Sequence, residues 1–278
     1  MTNYNFFDIH SHLHDSAFDE DRHDIISEMQ KKCIGSITIG TDLEESKKAI
    51  ALAEKYENIF ASVGKHPNDY SEEIFDEEKY LELAKHPKVV AIGECGLDYF
   101  YLKDTLMGLP IIIKENEETK EKQKEIFKKQ IDISIKLGKP LMLHGRPSKN
   151  SMDAYEVMLD ILEEAHKIHG NKLKGNAHFF AGTIEIAKRF FDIGFTISFS
   201  GVITFMEDFN DIVHYSPLNM IHAETDSPYV APVPYRGKRN SPLYIQEIVA
   251  KIAVIRQENF EDLRRQLLEN AKKTFGIE

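Results

Sequence analysis

The sequence predicts an α/β chain folded as a single-domain (β/α)8 TIM barrel, on three observations. Eight short apolar runs of the kind that fill buried, non-alternating strands recur along the 278 residues. Longer segments with helical spacing separate them, as in a parallel sheet covered by helices. The count of eight and the length favour a closed barrel over an open doubly wound sheet, and no Gly-x-Gly-x-x-Gly turn follows the first run. No linker or low-complexity stretch divides the chain, so one domain over residues 1–278 is expected.

In order, the expected strands are Phe6–His10, Ser36–Ile39, Ile59–Val63, Val89–Gly93, Pro140–His144, Leu173–His178, Phe195–Phe199 and Asn219–Ala223. Asp42-Leu43-Glu44-Glu45 reads as a capping box that opens a helix reaching Tyr56. A further helix is expected from Ser71, and a long charged one from Glu117 to Leu137, ended by Gly138. Asp153–Ile168, Thr183–Asp192, Pro242–Ile255 and Glu261–Phe275 repeat the pattern. Residues 102–118, with the apolar Leu106 to Ile113, are longer than the connection after the fourth strand needs. They are expected as an inserted loop that forms a lid, narrows the substrate range, makes a subunit contact or packs on the barrel.

The 42% hydrophobic content and 17 Phe suffice for a sizeable core. There is no apolar run long enough to span a bilayer, and Met-Thr-Asn-Tyr-Asn lacks the regions of a signal peptide, so a cytoplasmic location is expected, or a nuclear one in a eukaryote. Two cysteines, Cys33 and Cys95, are too few for a disulfide framework. A net charge of −11 argues against a surface that is basic throughout, as a nucleic-acid coat protein needs, but not against a small phosphate-binding patch beside metal ions. No obligate protein partner is implied.

In such a barrel the active site lies at the C-terminal ends of the strands, and metal-binding residue types recur there. The first strand ends in His10-Ser11-His12, two imidazoles on one side of extended backbone. The third runs into Gly64-Lys65-His66-Pro67, the fourth into Glu94-Cys95-Gly96-Leu97-Asp98, the fifth into His144-Gly145-Arg146, the sixth into His178, and the eighth into Glu224-Thr225-Asp226. Imidazoles with carboxylates, and no thiolate set, suit divalent metals such as Mg, Mn or Zn. Four histidines with Glu94 and Asp226 are enough for two ions sharing one carboxylate, a pair that polarises an ester or phosphoryl oxygen and activates a water. Glu94 is the natural bridge, and Asp226 could both ligate and accept the proton of the water. The competing readings are a capping or ion-paired Glu94 and a turn-forming Asp226 before Ser227-Pro228.

These motifs resemble those of the TatD family of metal-dependent hydrolases, within the amidohydrolase superfamily. The resemblance rests on Phe7-Asp8-Ile9-His10-Ser11-His12, Ser62-Val63-Gly64-Lys65-His66-Pro67, Gly93-Glu94-Cys95-Gly96-Leu97-Asp98-Tyr99, His144-Gly145-Arg146, His178-Phe179 and Glu224-Thr225-Asp226-Ser227-Pro228-Tyr229, in the family's order. Ser200-Gly201 and Pro232 to Asn240 join them. It implies that His10, His12, Glu94 and Asp226 hold one ion and Glu94, His144 and His178 the other. It also implies cleavage of DNA phosphodiester bonds, often from an end, with His66 on a substrate phosphate.

Arg236, Lys238 and Arg239 form a compact basic run after the Asp226 strand and are expected as phosphate contacts rather than a solvated loop. Arg146 joins them if its loop folds inward. Cys95 is expected to pack, His14 to lie outside the ligand set, and the remaining histidines to be structural or solvated. The alternative activity is two-metal hydrolysis of an amide or ester, such as a cyclic amide or aminoacyl-tRNA. Some related barrels bridge their ions with a modified lysine on the fourth strand; Glu94 in that place favours the nuclease. A non-catalytic scaffold would have no need of the full ligand set.

Overall fold

The computed structural model describes residues 4–68, 74–100 and 113–277, and for 113–116 the backbone alone. The chain alternates β1 (Phe6–Ser11), α1 (Arg22–Lys31), β2 (Ile34–Ile39), α2 (Leu43–Lys55), β3 (Ile59–Val63), α3 (Glu77–Ala84), β4 (Val89–Asp98) and α4 (Ile113–Leu137). It continues with β5 (Leu141–Arg146), α5 (Asp153–His169), β6 (Gly175–Ala177), α6 (Ile184–Asp192), β7 (Thr196–Phe199), α7 (Asn210–Tyr215), β8 (Ile221–Ala223), α8 (Ile245–Arg256) and α9 (Phe260–Phe275). Each strand pairs in parallel with the next, in chain order from β1 to β8. The expected (β/α)8 barrel is the fold.

The ring closes beyond the regular strands. Asp226 N–H donates to His10 O at 2.8 Å, His12 N–H to Ser227 O at 2.7 Å, and Ser11 bridges Ser227 in parallel. The buried Asp8 carboxylate adds a side-chain clasp, accepting from Thr225 N–H (2.8 Å) and Thr225 Oγ1–H (2.6 Å). This seam therefore lies among the residues His10, His12 and Asp226.

The strands are buried along almost their whole length, and their apolar residues divide between two clusters. The larger packs strands against helices, with Phe127, Tyr155, Phe180, Phe190 and Phe199 among its fully covered side chains. The smaller joins Phe7, Ile9, Ile37, Ile39 and Met142 to Ala271, Phe275 and Ile277 at the chain's end.

Local chemistry sets the helix ends. Asp42 caps α2 through Glu45 N–H at 2.7 Å, as its sequence predicts, and Thr183 caps α6. Other boundaries shift. Ser71 lies outside the described residues, and α3 starts at Glu77, where Asp76 accepts from Lys79 N–H at 3.2 Å. The expected insertion lies partly outside the described residues; its last part, Ile113 to Glu118, is helical and lengthens α4. Pro242–Tyr244 forms a 3-10 turn ahead of α8 rather than its first turn. α1 and α7 are additions to the sequence-based reading.

Candidate metal centre

Two glycines bring β4 into position. Gly93 and Gly96 have φ of 148° and 141°, and a Cβ on either would collide with a backbone carbonyl of the neighbouring strand, Met142 O or His144 O. The close approach of β4 and β5 sets Glu94 beside His144.

Glu94 is the centre of the constellation. Its Oε1 lies 2.7 Å from His178 Nε2, 2.8 Å from His144 Nδ1 and 3.4 Å from His66 Nε2, while Oε2 lies 3.5 Å from His10 Nε2. Asp226 Oδ1 is 3.6 Å from His10 Nε2 and 3.5 Å from His12 Nε2. Among the described residues, three groups of donor atoms could each hold an ion: His10, His12 and Asp226; His10, Glu94 and His178; His66, Glu94 and His144. Donors bound to one ion at about 2.0–2.2 Å stand about 3.0–3.5 Å apart, close to the separations around His10. That ring is fully buried, and neither of its nitrogens has a hydrogen-bond partner. A buried imidazole without a partner is costly unless something ligates it. The residues fit divalent ions.

Electrostatics agree with an ionised centre. Burial opposes charge on Glu94, but His178, His66 and His10 hold its carboxyl well below the usual range. Burial likewise opposes charge on Asp226, and the His12 hydrogen bond together with the neighbouring His10, His178 and His12 outweighs it and keeps its pKa low. For His178 the penalty of burial is overcome by Glu94 and Glu224, which raise its pKa well above the ordinary value.

Supporting groups orient the donors. Asp98 Oδ2 accepts from His144 Nε2–H at 3.0 Å, turning Nδ1 toward Glu94, and Asp98 Oδ1 accepts from Phe100 N–H at 3.0 Å. Glu224 stands 3.4 Å from His178 Nδ1 and ends a chain of aligned donors through the barrel. His222 Nε2–H donates to Thr196 Oγ1 (3.0 Å), Thr196 O–H to Asn176 Oδ1 (3.0 Å), Asn176 N–H to Ser198 Oγ (2.8 Å) and Ser198 O–H to Glu224 Oε2 (2.6 Å). Two buried glutamines of α4 clasp the strand ends. Gln123 exchanges hydrogen bonds with the Asp98 backbone (3.0 and 3.1 Å), and Gln130 with that of Lys65 (2.8 and 3.0 Å).

Sequence reasoning passed over these supporting groups. Asp98 and Glu224 were visible at strand ends, where a second carboxylate beside a ligand candidate was a usable signal. The glutamines carried none.

A cavity of about 470 Å³ opens over the cluster, lined among others by His12, His66, Glu94, His144, Arg146, His178, Asp226 and Tyr229. The structure thus brings together His10, His12, Glu94, His144, His178 and Asp226, with Arg146 on the cavity wall. His66 also lines this cavity, with its Nε2 3.2 Å from His144 Nδ1. Arg236, Lys238 and Arg239 are not among the lining residues. Arg236 stacks on Phe205 at 3.6 Å, and Arg239 pairs with Asp21 and covers Phe18. His14 is buried against Thr38 (2.7 Å) and Glu45 (3.1 Å), outside the three groups, and Cys95 is packed in the core.

The profile of the family described as TatD related DNase matches residues 7–276. The metal-dependent hydrolase YabD of Bacillus subtilis is 32% identical over 275 residues, covering 98% of this chain and 99% of its own. The 3'-5' ssDNA/RNA exonuclease TatD of Escherichia fergusonii is 32% identical over 281 residues, covering 98% and 99%. The crystal structure of the TatD homologue YJJV from Escherichia coli K12 superimposes with a TM-score of 0.83 at 23% identity, covering 99% of both chains, and shares the fold.

Proposed function

The chain belongs to the TatD family of metal-dependent hydrolases, and from that premise we propose that it is a two-metal deoxyribonuclease that removes nucleotides from DNA ends. One observation carries the reading: the two oxygens of Glu94 face different histidines, Oε2 toward His10 and Oε1 toward His144 and His178. A carboxylate so placed could serve two ions, for which His10, His12 and Asp226 on one side and His144 and His178 on the other would be the remaining ligands. The relative named as an exonuclease supports the choice of substrate.

Two divalent ions there supply charge against a phosphoryl oxygen and lower the pKa of an attacking water. The remaining work falls to the chain. Asp226, ionised and held by His12, accepts the proton of the water at Oδ1. His66 and Arg146 hold the phosphate against its −1 charge, a task for which a fixed guanidinium is suited. Asp98 keeps the His144 proton on Nε2, so that Nδ1 remains a donor atom. Arg236 and Lys238 bind the strand farther out, while Arg239 serves as an anchor to Asp21.

Elemental analysis of purified protein, with nucleotide release from single- and double-stranded DNA in magnesium or manganese, tests this. About two equivalents of metal and divalent-dependent release of mononucleotides are expected. Stoichiometric metal without cleavage of DNA in any divalent ion overturns the nuclease, and RNA and aminoacyl-ester substrates run alongside identify what replaces it.

A further inference from the structure

Apart from the metal centre, a cavity of about 360 Å³ lies between the loop that leaves β1 and one face of α2. His14, Ser16, Asp19 and Arg22 line it on the loop side, Lys48 and Lys55 on α2. The two lysines are seven positions apart, about two helical turns, and so share a face. In a chain of net charge −11, three cations meet here against the single carboxylate of Asp19.

The three cations are differently engaged. Arg22 ties the loop down, donating to Leu13 O (2.7 Å), His14 O (3.1 Å) and Asp15 O (2.8 Å), and it pairs with Asp19 Oδ1 at 2.6 Å. The one carboxylate of the lining is thus used within the wall. Lys48 reaches Glu45 Oε1 at 2.6 Å, an exposed pair on one helix, of a kind that contributes little and yields to a better acceptor. Glu45 has a second task, since its Oε2 holds the buried His14 at 3.1 Å. The side chain of Lys55 has no ion pair or hydrogen bond among the described residues.

The cavity also neighbours the reacting centre. His12 lines the cavity over the metal centre and His14 lines this one, their ring centroids 6.3 Å apart. From the basic run after β8, Arg239 donates to Ala17 O and pairs with Asp21, both in the same stretch between β1 and α1. That stretch therefore joins the basic run to the lysines of α2.

We propose that this cavity receives a backbone phosphate of the substrate strand, at a linkage other than the one that is cut. The inference rests on the nuclease reading and names where the strand is held beyond the metal centre. The phosphate oxygens accept from the Lys48 and Lys55 ammonium groups and from Ser16 O–H, contacts that position a strand and read no sequence. Lysine suits the task, being a point charge on a flexible stem. In a field that is repulsive overall, such a local contact decides where a polyanion can lie.

Metal-loaded enzyme tests this on single-stranded oligonucleotides in which one phosphodiester at a time is replaced by an uncharged methylphosphonate. Release of the first nucleotide is followed at about 50 mM salt, where phosphate contacts count most. At one linkage away from the cut, the replacement should lower kcat/KM about fivefold, the upper range of one exposed ion pair. That effect should vanish when Lys48→Ala and Lys55→Ala are combined, and return with Lys48→Arg and Lys55→Arg. Both variants are to match wild type in the rise of Tm with manganese. Binding of an all-phosphorothioate strand gives a readout apart from turnover. The slope of its log affinity against log salt should fall by about 0.7 in the double alanine variant, the share of one phosphate on a single strand. Either a profile flat beyond the cut linkage or an unchanged salt slope overturns the subsite and leaves the nuclease standing. A flat profile beside calorimetric binding of inorganic phosphate that the double alanine variant loses gives the cavity to a free anion, and overturns the strand equally. No cleavage of any oligonucleotide overturns both readings.

Discussion

Asp98→Asn alters one atom and asks how His144 is held. In the native protein Asp98 Oδ1 accepts from Phe100 N–H and Oδ2 from His144 Nε2–H, both at 3.0 Å. The proton on Nε2 leaves Nδ1 as the donor atom facing Glu94 at 2.8 Å. An asparagine satisfies only one of the two donors. With its oxygen on Phe100, its NH2 faces the ring and drives the imidazole proton to Nδ1, where it blocks ligation; with the amide turned, NH2 meets the Phe100 N–H. Asp98 is 1% exposed, so water does not relieve the mismatch, which costs about 1–3 kcal/mol. Charged in full to metal binding, that is about 5- to 150-fold in affinity, in line with the roughly 10- to 100-fold seen for outer-shell partners. On the two-ion proposal, the loss should fall on the ion that His144 and His178 would hold, with the one at His10 and His12 changed less than about threefold. Calorimetric titration of chelator-treated protein with manganese resolves the two affinities. Unchanged binding at both, in a variant whose circular dichroism matches wild type, would refute the orienting role of Asp98.

Other outcomes follow from single contacts. Glu94→Ala should abolish turnover and the rise of Tm on adding manganese, a rise that mass action sets at about 2.7 kcal/mol of stability at one hundred times Kd; scanning calorimetry with manganese and with chelator measures both. Burial depresses the pKa of His222 to about 3 from 6.5, so the folded state refuses a proton that the unfolded chain accepts. Stability is unaffected above pH 6.5 and falls as pH drops toward 3, by about 2–3 kcal/mol at pH 4.5. Urea midpoints for wild type and His222→Gln should therefore diverge between pH 7.5 and pH 4.5, and parallel curves would exclude His222 as the acid-sensitive group. Arg236→Ala should weaken DNA binding and reduce the slope of log affinity against log salt by about one. Arg239→Ala should leave that slope alone and lower stability by up to about 1 kcal/mol, since its partner Asp21 is a surface group.

What could be read from the chain divides by the range of the cause. The eight strands were legible because burial on both faces writes itself into consecutive residues, as in Ile34–Ile39. Asp42 was legible as a cap because its partner stands three residues away. The six candidate ligands were legible because the barrel maps every strand's C-terminal end to one place. α1 escaped because its apolar residues Ile25, Ile26 and Met29 sit in a polar segment whose Asp21 makes no side-chain cap bond. The basic run after β8 was visible, but the partners of Arg236 and Arg239, Phe205 and Asp21, are set by tertiary contact with no local trace. Gln123 and Gln130 were hidden in a helix of similar polar residues, distinguished only by the backbone they meet.

The seam between β8 and β1 gives the centre a history as well as a geometry. Thr225 and Asp8, which clasp it, stand 217 positions apart, and bringing such distant points together costs chain entropy of about 5 kcal/mol. His10 and His12 leave the ribosome first, whereas Asp226 arrives only when nearly all the barrel has been made. A nascent chain, or one whose ring has sprung open, therefore lacks the third member of the first donor group. An ion bound across the join would act as a latch on the longest loop of the fold, and the first donor group is complete only in a chain that has closed.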